Sequence, residues 1–496
     1  MNPILAKITQ LEKNNPDKTA IIGSTYQLSY RELKTAIGDT ADMLINQCQG
    51  VIGLLMDNSP AWAVIDLACQ ASQTPLVPLP PFYTDEQIQH VIEDSGLQWV
   101  LTDNPSRFSH YKTTHLVGIA SDTIAFVFIG AKTKQLLPGT SKITYTSGTT
   151  GQPKGICLTE ESLLSVSQSL IDRSQATSAD IHLALTPLAV LLENIASVYT
   201  CILAGCTSCI PSLAESGLTG SSGLDSKKQF AALDKYKATS AIIMPQMLQA
   251  MILSCTSGLP IPESLRFLSV GGATVNQSLL LRAKDCGLPV FQGYGLSECA
   301  SVVSLNSLEE NKIGSVGKVL PHLQVIISDD SEVLIKGPIF NGYLNKQAHA
   351  LNTYLPTGDL GFIDDDNYLY ISGRKKNQFI TSFGRNVSPE WVEDILTTIP
   401  DINQAFIYGE ARPWNTAILF PTIDTKLSRS QTISLAVNLI NETLPDYAQI
   451  RKWIDAGDAN SSHNQKLTRS GVLCREQIFK AYKNQIDSLY ETEIFS

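Results

Sequence analysis

Residues 142–155 read KITYTSGTTGQPKG. The opening KITY alternates polar and apolar side chains, as a half-buried strand does. From Thr146 to Gly155 the composition changes to three glycines and four hydroxyls in ten positions. Glycines such as Gly148 and Gly151 let the backbone approach an anion closely, with successive N–H groups turned toward it. The hydroxyls of Thr146, Ser147, Thr149 and Thr150 are further donors, and Lys154 adds a positive charge. The string therefore predicts a phosphate-binding loop that follows a strand. It is not the G-x4-G-K-[ST] loop of nucleotide triphosphatases, because Gln152 and Pro153 separate the second glycine from the lysine.

Upstream of this loop, strand and helix signals alternate. Val51–Met56 (VIGLLM) is a short apolar run. Ser59 and Pro60 then supply an N-cap and a first helical residue for AWAVIDLACQ. Pro75–Leu79 is strand-like. Thr84 and Gln87 fit a capping box, Ile88, Val91 and Ile92 share a helix face, and Gly96 predicts the stop before a strand over Trp99–Thr102. Downstream, Ala241–Met244, Leu265–Val270 and Pro289–Gln292 read as strands, with Asn276 as the expected cap of the helix SLLLRAKDCG. This alternation predicts a parallel α/β sheet. Residues 312–345 differ, with short strands and many glycines, and predict a small antiparallel unit. After about residue 375 comes a helix opened by Ser388 and Pro389, with Trp391, Val392, Ile395 and Leu396 on one face. The strands QAFIYGE and TAILFPT follow, then a helical run from about Ser430, together predicting a separate α+β domain.

Composition narrows the function. The 496 residues are 43% hydrophobic and 17% charged, which excludes a disordered chain, a collagen or a coiled-coil rod. The net charge of −10 argues against non-specific nucleic-acid binding, which needs a basic stripe for phosphates. The N-terminus MNPILAKITQLEKNNPDK lacks the apolar run of a signal peptide. The most apolar segment, Ile181–Ile210, is broken by Pro187, Glu193, Asn194 and Gly205, so core is expected there rather than a membrane span. A cytoplasmic location is the expectation. Cys201, Cys206 and Cys209 follow C-x4-C-x2-C, the beginning of an iron–sulfur spacing. They lie in the apolar run YTCILAGCTSCIPSL, where small buried thiols are the expectation.

Further segments carry chemistry. Gly271, Gly272 and Ala273 follow the strand LRFLSV. Gln292–Glu298 reads QGYGLSE: Tyr294 offers a flat aromatic face, Ser297 a hydroxyl donor, and Glu298 a hard oxygen of the kind Mg²⁺ accepts beside phosphate and water. Thr357, Gly358 and Asp359 form a TGD turn whose ionised carboxylate has two acceptor oxygens and no donor. SGRKK places Arg374 and Lys376 two residues apart. Gly384 lies in TSFGRNVSPEWVE, and Lys466 in HNQKLTRSG.

With the phosphate loop, these segments resemble, in order and over essentially the whole chain, the adenylate-forming (AMP-binding) superfamily. The string GRKKNQFITSFGRNVSPEWVE and the segment LTPLAVLLEN (185–194) are similar to the acyl-CoA synthetase, long-chain fatty acid–CoA ligase branch. The resemblance implies an α/β protein. Its large N-terminal AMP-binding domain, over 1–375, is built of α/β subdomains with a small β-barrel at about 305–370. A small mobile α+β C-terminal domain follows over 376–496. It implies ATP, Mg²⁺ and CoA, or the phosphopantetheine of a carrier protein, as cofactors. It places Gly272, Ala273, Gly293, Tyr294 and Gly295 around adenine. Ser297 goes to the α-phosphate, Asp359 and Arg374 to the ribose, Glu298 to the metal, and Lys376 to a hinge. Lys466 would reach the carboxylate and α-phosphate, together with Thr149 and Lys154 of the loop. Gly384 would leave room for the pantetheine arm. Ser297 stands where the family usually has Thr, Gln465 where it has Gly, and Val190 where many relatives carry a ring.

The implied reaction activates a carboxylic acid as acyl-AMP with loss of pyrophosphate, then passes the acyl group to a thiol. A fatty or other apolar acid is the favoured substrate. Its pocket is expected near Val190, Asn194, Gly272, Gly293 and Ser301, with little charge. Two alternatives stand beside transfer to CoA: an acyl-AMP ligase that loads a carrier protein or another nucleophile, and a catalytically weak nucleotide-binding member. Neither nucleic acid nor stable membrane insertion is expected.

Overall fold

The computed structural model describes residues 2–146, 153–220, 223–273, 275–350, 352–383, 385–399, 402–421, 426–457 and 475–491. Among them, two large sheets dominate. In the first, eight strands run edge to edge as Gly342–Tyr343, Lys154–Thr159, Thr140–Thr146, Leu76–Pro78, Val51–Leu55, Leu97–Thr102, Asp122–Phe128 and Lys112–Ile119. In the second, nine strands run as Lys318–Val319, Ser304–Leu305, Val290–Tyr294, Phe267–Val270, Ser240–Ile243, Ile181–Leu183, Thr207–Cys209, Thr19–Ile22 and Gln27–Ser29. Both have parallel centres and antiparallel edges.

Local chemistry explains the helices. Ser59 accepts from the Trp62 N–H, with Pro60 in the first turn. From Pro60 to Cys69 every residue of that helix is buried. A helix apolar on all sides belongs in the interior of a large protein, and this one packs in a core that draws on both sheets. Thr84 and Gln87 form the expected capping box. Gly96 ends the helix Asp85–Ser95 with φ +66°, where an added Cβ would lie 2.6 Å from the Lys132 carbonyl oxygen. Asn276 does precede the helix Gln277–Asp285, but its side chain makes no capping bond.

The region after residue 305 carries a four-stranded antiparallel sheet in the order Gln324–Ile327, Glu332–Lys336, Leu355–Ile363, Leu369–Arg374. Neighbouring strands of this region pair with the large sheets. Ser304–Leu305 and Lys318–Val319 extend the nine-stranded one, and Gly342–Tyr343 extends the eight-stranded one. An isolated β-bridge, Lys318 to Tyr368, joins the small sheet to the nine-stranded one.

Beyond Phe379 the described residues have their own cores. One gathers Val392, Leu396, Ile407, Leu419 and Val437, and another Phe406, Ile418, Phe420, Ile478 and Ile486. The thiols of Cys201 and Cys206 are buried and donate to the carbonyls of Ala196 and Cys201. No helix among the described residues is long and apolar enough to cross a membrane.

Candidate active site

The phosphate-loop string connects two strands that lie side by side. Strands Thr140–Thr146 and Lys154–Thr159 pair antiparallel, with Thr146 opposite Lys154. Ser147, Gly148, Thr149, Thr150 and Gly151 lie outside the described residues, but the loop's base is held from two sides. From the helix Asp85–Ser95, the His90 ring meets the Pro153 carbonyl oxygen at 2.9 Å, and Asp94 accepts from the Tyr145 hydroxyl at 2.9 Å. On the other side, Gly342–Tyr343 pairs with Ile156 and Cys157, and the Leu344 N–H donates to the Gly155 carbonyl. Lys154 is exposed.

Tyr343 leads from the hairpin to the second motif. Its hydroxyl donates to Glu298 Oε1 at 2.9 Å, and the Phe340 N–H donates to the Glu298 carbonyl at 2.7 Å. Burial pushes the Tyr343 hydroxyl up, and the Glu298 charge adds to it. Glu298 lies in a short 3-10 turn, Ser297–Cys299, after the strand Val290–Tyr294. Ala300 and Ser301 then take positive φ of 50° and 94°, a backbone conformation costly for residues with a Cβ. The reversal lays the Ser301 carbonyl so close to Gly295 that a Cβ there would lie 1.6 Å from its oxygen. Gly271 likewise abuts Gly293, whose carbonyl oxygen would lie 3.1 Å from a Cβ at position 271, while Gly272 is exposed with φ +79°. Ala273 is half-buried beside it.

The Tyr294 hydroxyl donates to Asp359 Oδ2 at 2.5 Å, and Arg374 Nε pairs with Asp359 Oδ1 at 2.7 Å. Asp359 and Arg374 face each other in register across adjacent strands. Burial holds the Asp359 carboxyl above its ordinary range, while Arg374 and the Tyr294 hydrogen bond pull it down. Each carboxylate oxygen still has a second lone pair for a ligand hydroxyl. The preceding turn is fixed by Thr357 Oγ1 donating to the Val333 carbonyl and by the Gly358 N–H donating to Glu332 Oε1 at 2.9 Å. The other oxygen of Glu332, with Asp330, holds Lys375 at 2.7 Å. Lys376 follows in an exposed turn, its ammonium pulled down by partial burial and by Arg374.

Thus Tyr294, Asp359 and Arg374 touch, Glu298 is tied through Tyr343 to the strand that begins at Lys154, and Gly271 meets Gly293. Asn194 does not join them. Its side chain is buried, with Oδ1 accepting from Lys142 and Nδ2 donating to Asp66 at 2.8 Å. That removes it from the expected low-charge pocket, because the neighbouring groups are an ion pair. Gly384 and Lys466 lie outside the described residues. Tyr343 and Glu332 were not marked by any motif spacing. Their partners are 45 and 26 residues away in sequence.

A family model described as AMP-binding enzyme matches residues 9–344, and one described as AMP-binding enzyme C-terminal domain matches residues 376–494. A long-chain-fatty-acid–CoA ligase of Mycobacterium bovis is 26% identical over 500 residues, covering 83% of this chain and 80% of its own. A 2-succinylbenzoate–CoA ligase of Bacillus velezensis is 27% identical over 428 residues, covering 82% and 85%. Among solved structures, an o-succinylbenzoate CoA synthetase from Bacillus subtilis, in complex with its acyl-adenylate intermediate, superposes with TM-score 0.74. It has 22% identity and covers 95% of this chain and 97% of its own. An anthranilate CoA ligase in complex with anthranoyl-AMP gives TM-score 0.77 at 16% identity, with 96% of each chain covered. These superpositions speak to the fold.

Proposed function

Because the chain belongs to the AMP-binding enzyme family, we propose that it is an AMP-forming acid–CoA ligase acting on a fatty or other apolar carboxylic acid. The observation that carries this reading is the convergence of Tyr294, Asp359 and Arg374 with Glu298 and the Lys154 hairpin.

A carboxylate is a poor electrophile, because attack adds charge to an anion. In the proposed first half-reaction, a carboxylate oxygen bonds to the α-phosphorus of ATP and the bond to pyrophosphate breaks. Two anions must meet, so alignment and charge neutralisation supply the rate. Asp359 accepts from the ribose hydroxyls, and Arg374 neutralises it and reaches toward phosphate. Tyr294 presents its ring to adenine, anchored at its hydroxyl by Asp359. Lys154, Thr146 and the loop hydroxyls take the β- and γ-phosphates, and Ser297 takes the α-phosphate. Lys466 bridges the two reactants. In the second half-reaction the CoA sulfur bonds to the acyl carbon, AMP leaves with the bonding pair, and the thiol proton passes to solvent. Lys376 is the proposed pivot that exchanges Lys466 for the Gly384 loop.

Magnesium fits Glu298. Among the described residues this carboxylate has no ion-pair partner and is steadied by a neutral hydroxyl. Mg²⁺ commonly takes one or two protein carboxylates beside phosphate and water. When bound, the ion would neutralise phosphate charge.

The apolar run Leu185–Leu192, with Val190 in it, supports an uncharged acyl chain. The test is acid-dependent ATP–pyrophosphate exchange over a panel spanning oxalate, aromatic acids and fatty acids of increasing length. CoA or a holo carrier protein is then supplied as acceptor. Exchange with apolar acids and acyl transfer to CoA is the expected result. Exchange with no acid would overturn the reading, and transfer only to the carrier protein would overturn the acceptor.

A further inference from the structure

Lys142 stands four residues before Thr146, on the strand that carries the phosphate loop, and its side chain is 1% exposed. Lysine is almost never fully buried unless paired. Here the ammonium meets Asp66 Oδ1 at 2.8 Å, donates to the Tyr199 hydroxyl at 2.7 Å, and donates to Asn194 Oδ1. Asn194 closes the ring by donating to Asp66 Oδ2. The ammonium also lies 4.9 Å from the Tyr199 ring centroid and 5.9 Å from that of Trp62, near enough for cation–π attraction. An ammonium has three protons; here two are donated to Tyr199 and Asn194 and the charge is paired with Asp66, so Lys142 is fully engaged inside the core and is not presented to a substrate. It is not a catalytic group.

What the cluster does is join three elements. Lys142 comes from the loop strand. Asp66 and Trp62 come from the buried helix Pro60–Ala71. Asn194 and Tyr199 come from the helical stretch that starts at Leu191, inside the segment proposed to wall the acid. That stretch is wound as a π-helix over Ile195–Thr200, a rare distortion that often marks functional sites. It brings Asn194 and Tyr199 onto the same ammonium. The strand ends where ATP is to be held, and the helix begins where the acid is to be held. An apolar contact between them would allow sliding, whereas two directed hydrogen bonds and a buried ion pair define one register.

We propose that Lys142 is a positioning residue that, through Asp66, Asn194 and Tyr199, fixes the phosphate-loop strand against the acid-side helix and so aligns carboxylate with α-phosphate. This rests on the adenylation reading above. Alignment matters only while two separate reactants must meet. Once acyl-AMP exists, thiol attack no longer depends on it.

The experiment exploits that asymmetry. Removing Lys142 alone would strand the Asp66 charge in the core and threaten folding. The variant is therefore Lys142→Met combined with Asp66→Asn, which removes both charges and keeps the bond to Asn194. Thermal midpoint, ATP affinity without acid, exchange rate, and CoA transfer from synthetic acyl-AMP are measured in parallel with the parent protein. The expected result is an exchange kcat lower by about 10- to 100-fold, the scale of a misplacement of about 1 Å. Thermal midpoint, ATP affinity and thiol transfer should stay within about two-fold or a few degrees of the parent. Unchanged exchange in the folded variant would overturn the proposal, as would equal losses in both half-reactions. If the double variant fails to fold, Tyr199→Phe, which keeps the ring and removes one acceptor, decides the matter. Slower exchange with normal thiol transfer supports the role, and unchanged exchange refutes it. Failure of the adenylation reading itself would show differently, as absence of exchange in the parent protein with every acid.

Discussion

Tyr343 shows how much a single hydroxyl can organise. It belongs to a two-residue strand paired with the phosphate-loop hairpin, yet its oxygen donates to Glu298, 45 positions earlier. On the proposed role of Glu298, a carboxylate that is to take a cation must be held without being neutralised, and a neutral hydroxyl does that where a lysine would compete. Tyr343→Phe removes the donor and leaves the ring packed against Phe340. The expected outcome is a rise of about three- to ten-fold in the Mg²⁺ concentration for half-maximal exchange, equivalent to ~1 kcal/mol, the typical net worth of one hydrogen bond. The fold should be unaffected. A magnesium titration checks this, and an unchanged midpoint would remove Tyr343 from the site. Glu298, Asp359 and Lys154 stand out in the string because the chemistry proposed for them travels with short motifs. Tyr343 does not, since a lone aromatic in a glycine-rich run reads as core. Asn194 was misjudged for a related reason. Its position in LTPLAVLLEN suggests a wall, but which way its amide points is set by Lys142 and Asp66, far off in the chain.

Local elements were legible where the cause is local. Ser59, Thr84 and Gly96 delimit their helices because a cap acts within a few residues. Asn276 occupies the cap position but makes no capping bond, and nothing in the sequence distinguishes it from the others. The turn after Tyr294 was half legible. The glycines of QGYGLSE announce a tight path, but the left-handed conformations fall on Ala300 and Ser301, which carry no such signal. That reversal explains why position 295 tolerates no side chain. Gly295→Ala drives a methyl into the Ser301 carbonyl, so the turn bearing Ser297 and Glu298 must shift. A destabilisation of about 1–3 kcal/mol is expected for such overpacking, together with exchange lowered by at least about 100-fold. Urea unfolding and the exchange assay check both. Near-normal exchange would mean that the turn is less constrained than its geometry indicates.

Across the whole molecule, the strand order of the two sheets could not be read from the alternation of helix and strand. Pairing such as Lys154–Thr159 with Gly342–Tyr343 joins segments some 180 residues apart. The C-terminal part carries its own amphipathic helix and strands in the sequence, and its described residues have cores of their own. Multidomain chains commonly depart from two-state unfolding. Calorimetry is therefore expected to resolve two transitions. Trp391, Trp414 and Trp453 would report on the smaller unit, and Trp62 and Trp99 on the larger. AMP, on the proposed contacts with Tyr294, Asp359 and Arg374, should raise the larger unit's transition most. One coincident transition by heat and by fluorescence would contradict this.

The hairpin that ends in the phosphate loop is braced by His90 and Asp94 on one flank, Tyr343 and Leu344 on the other, and Lys142 beneath. None of these braces belongs to the ten letters from Thr146 to Gly155. A chimera that transplants those letters alone into a foreign scaffold would inherit a spelling without its grip on nucleotide. A workable graft would have to bring along the helix and both neighbouring strands.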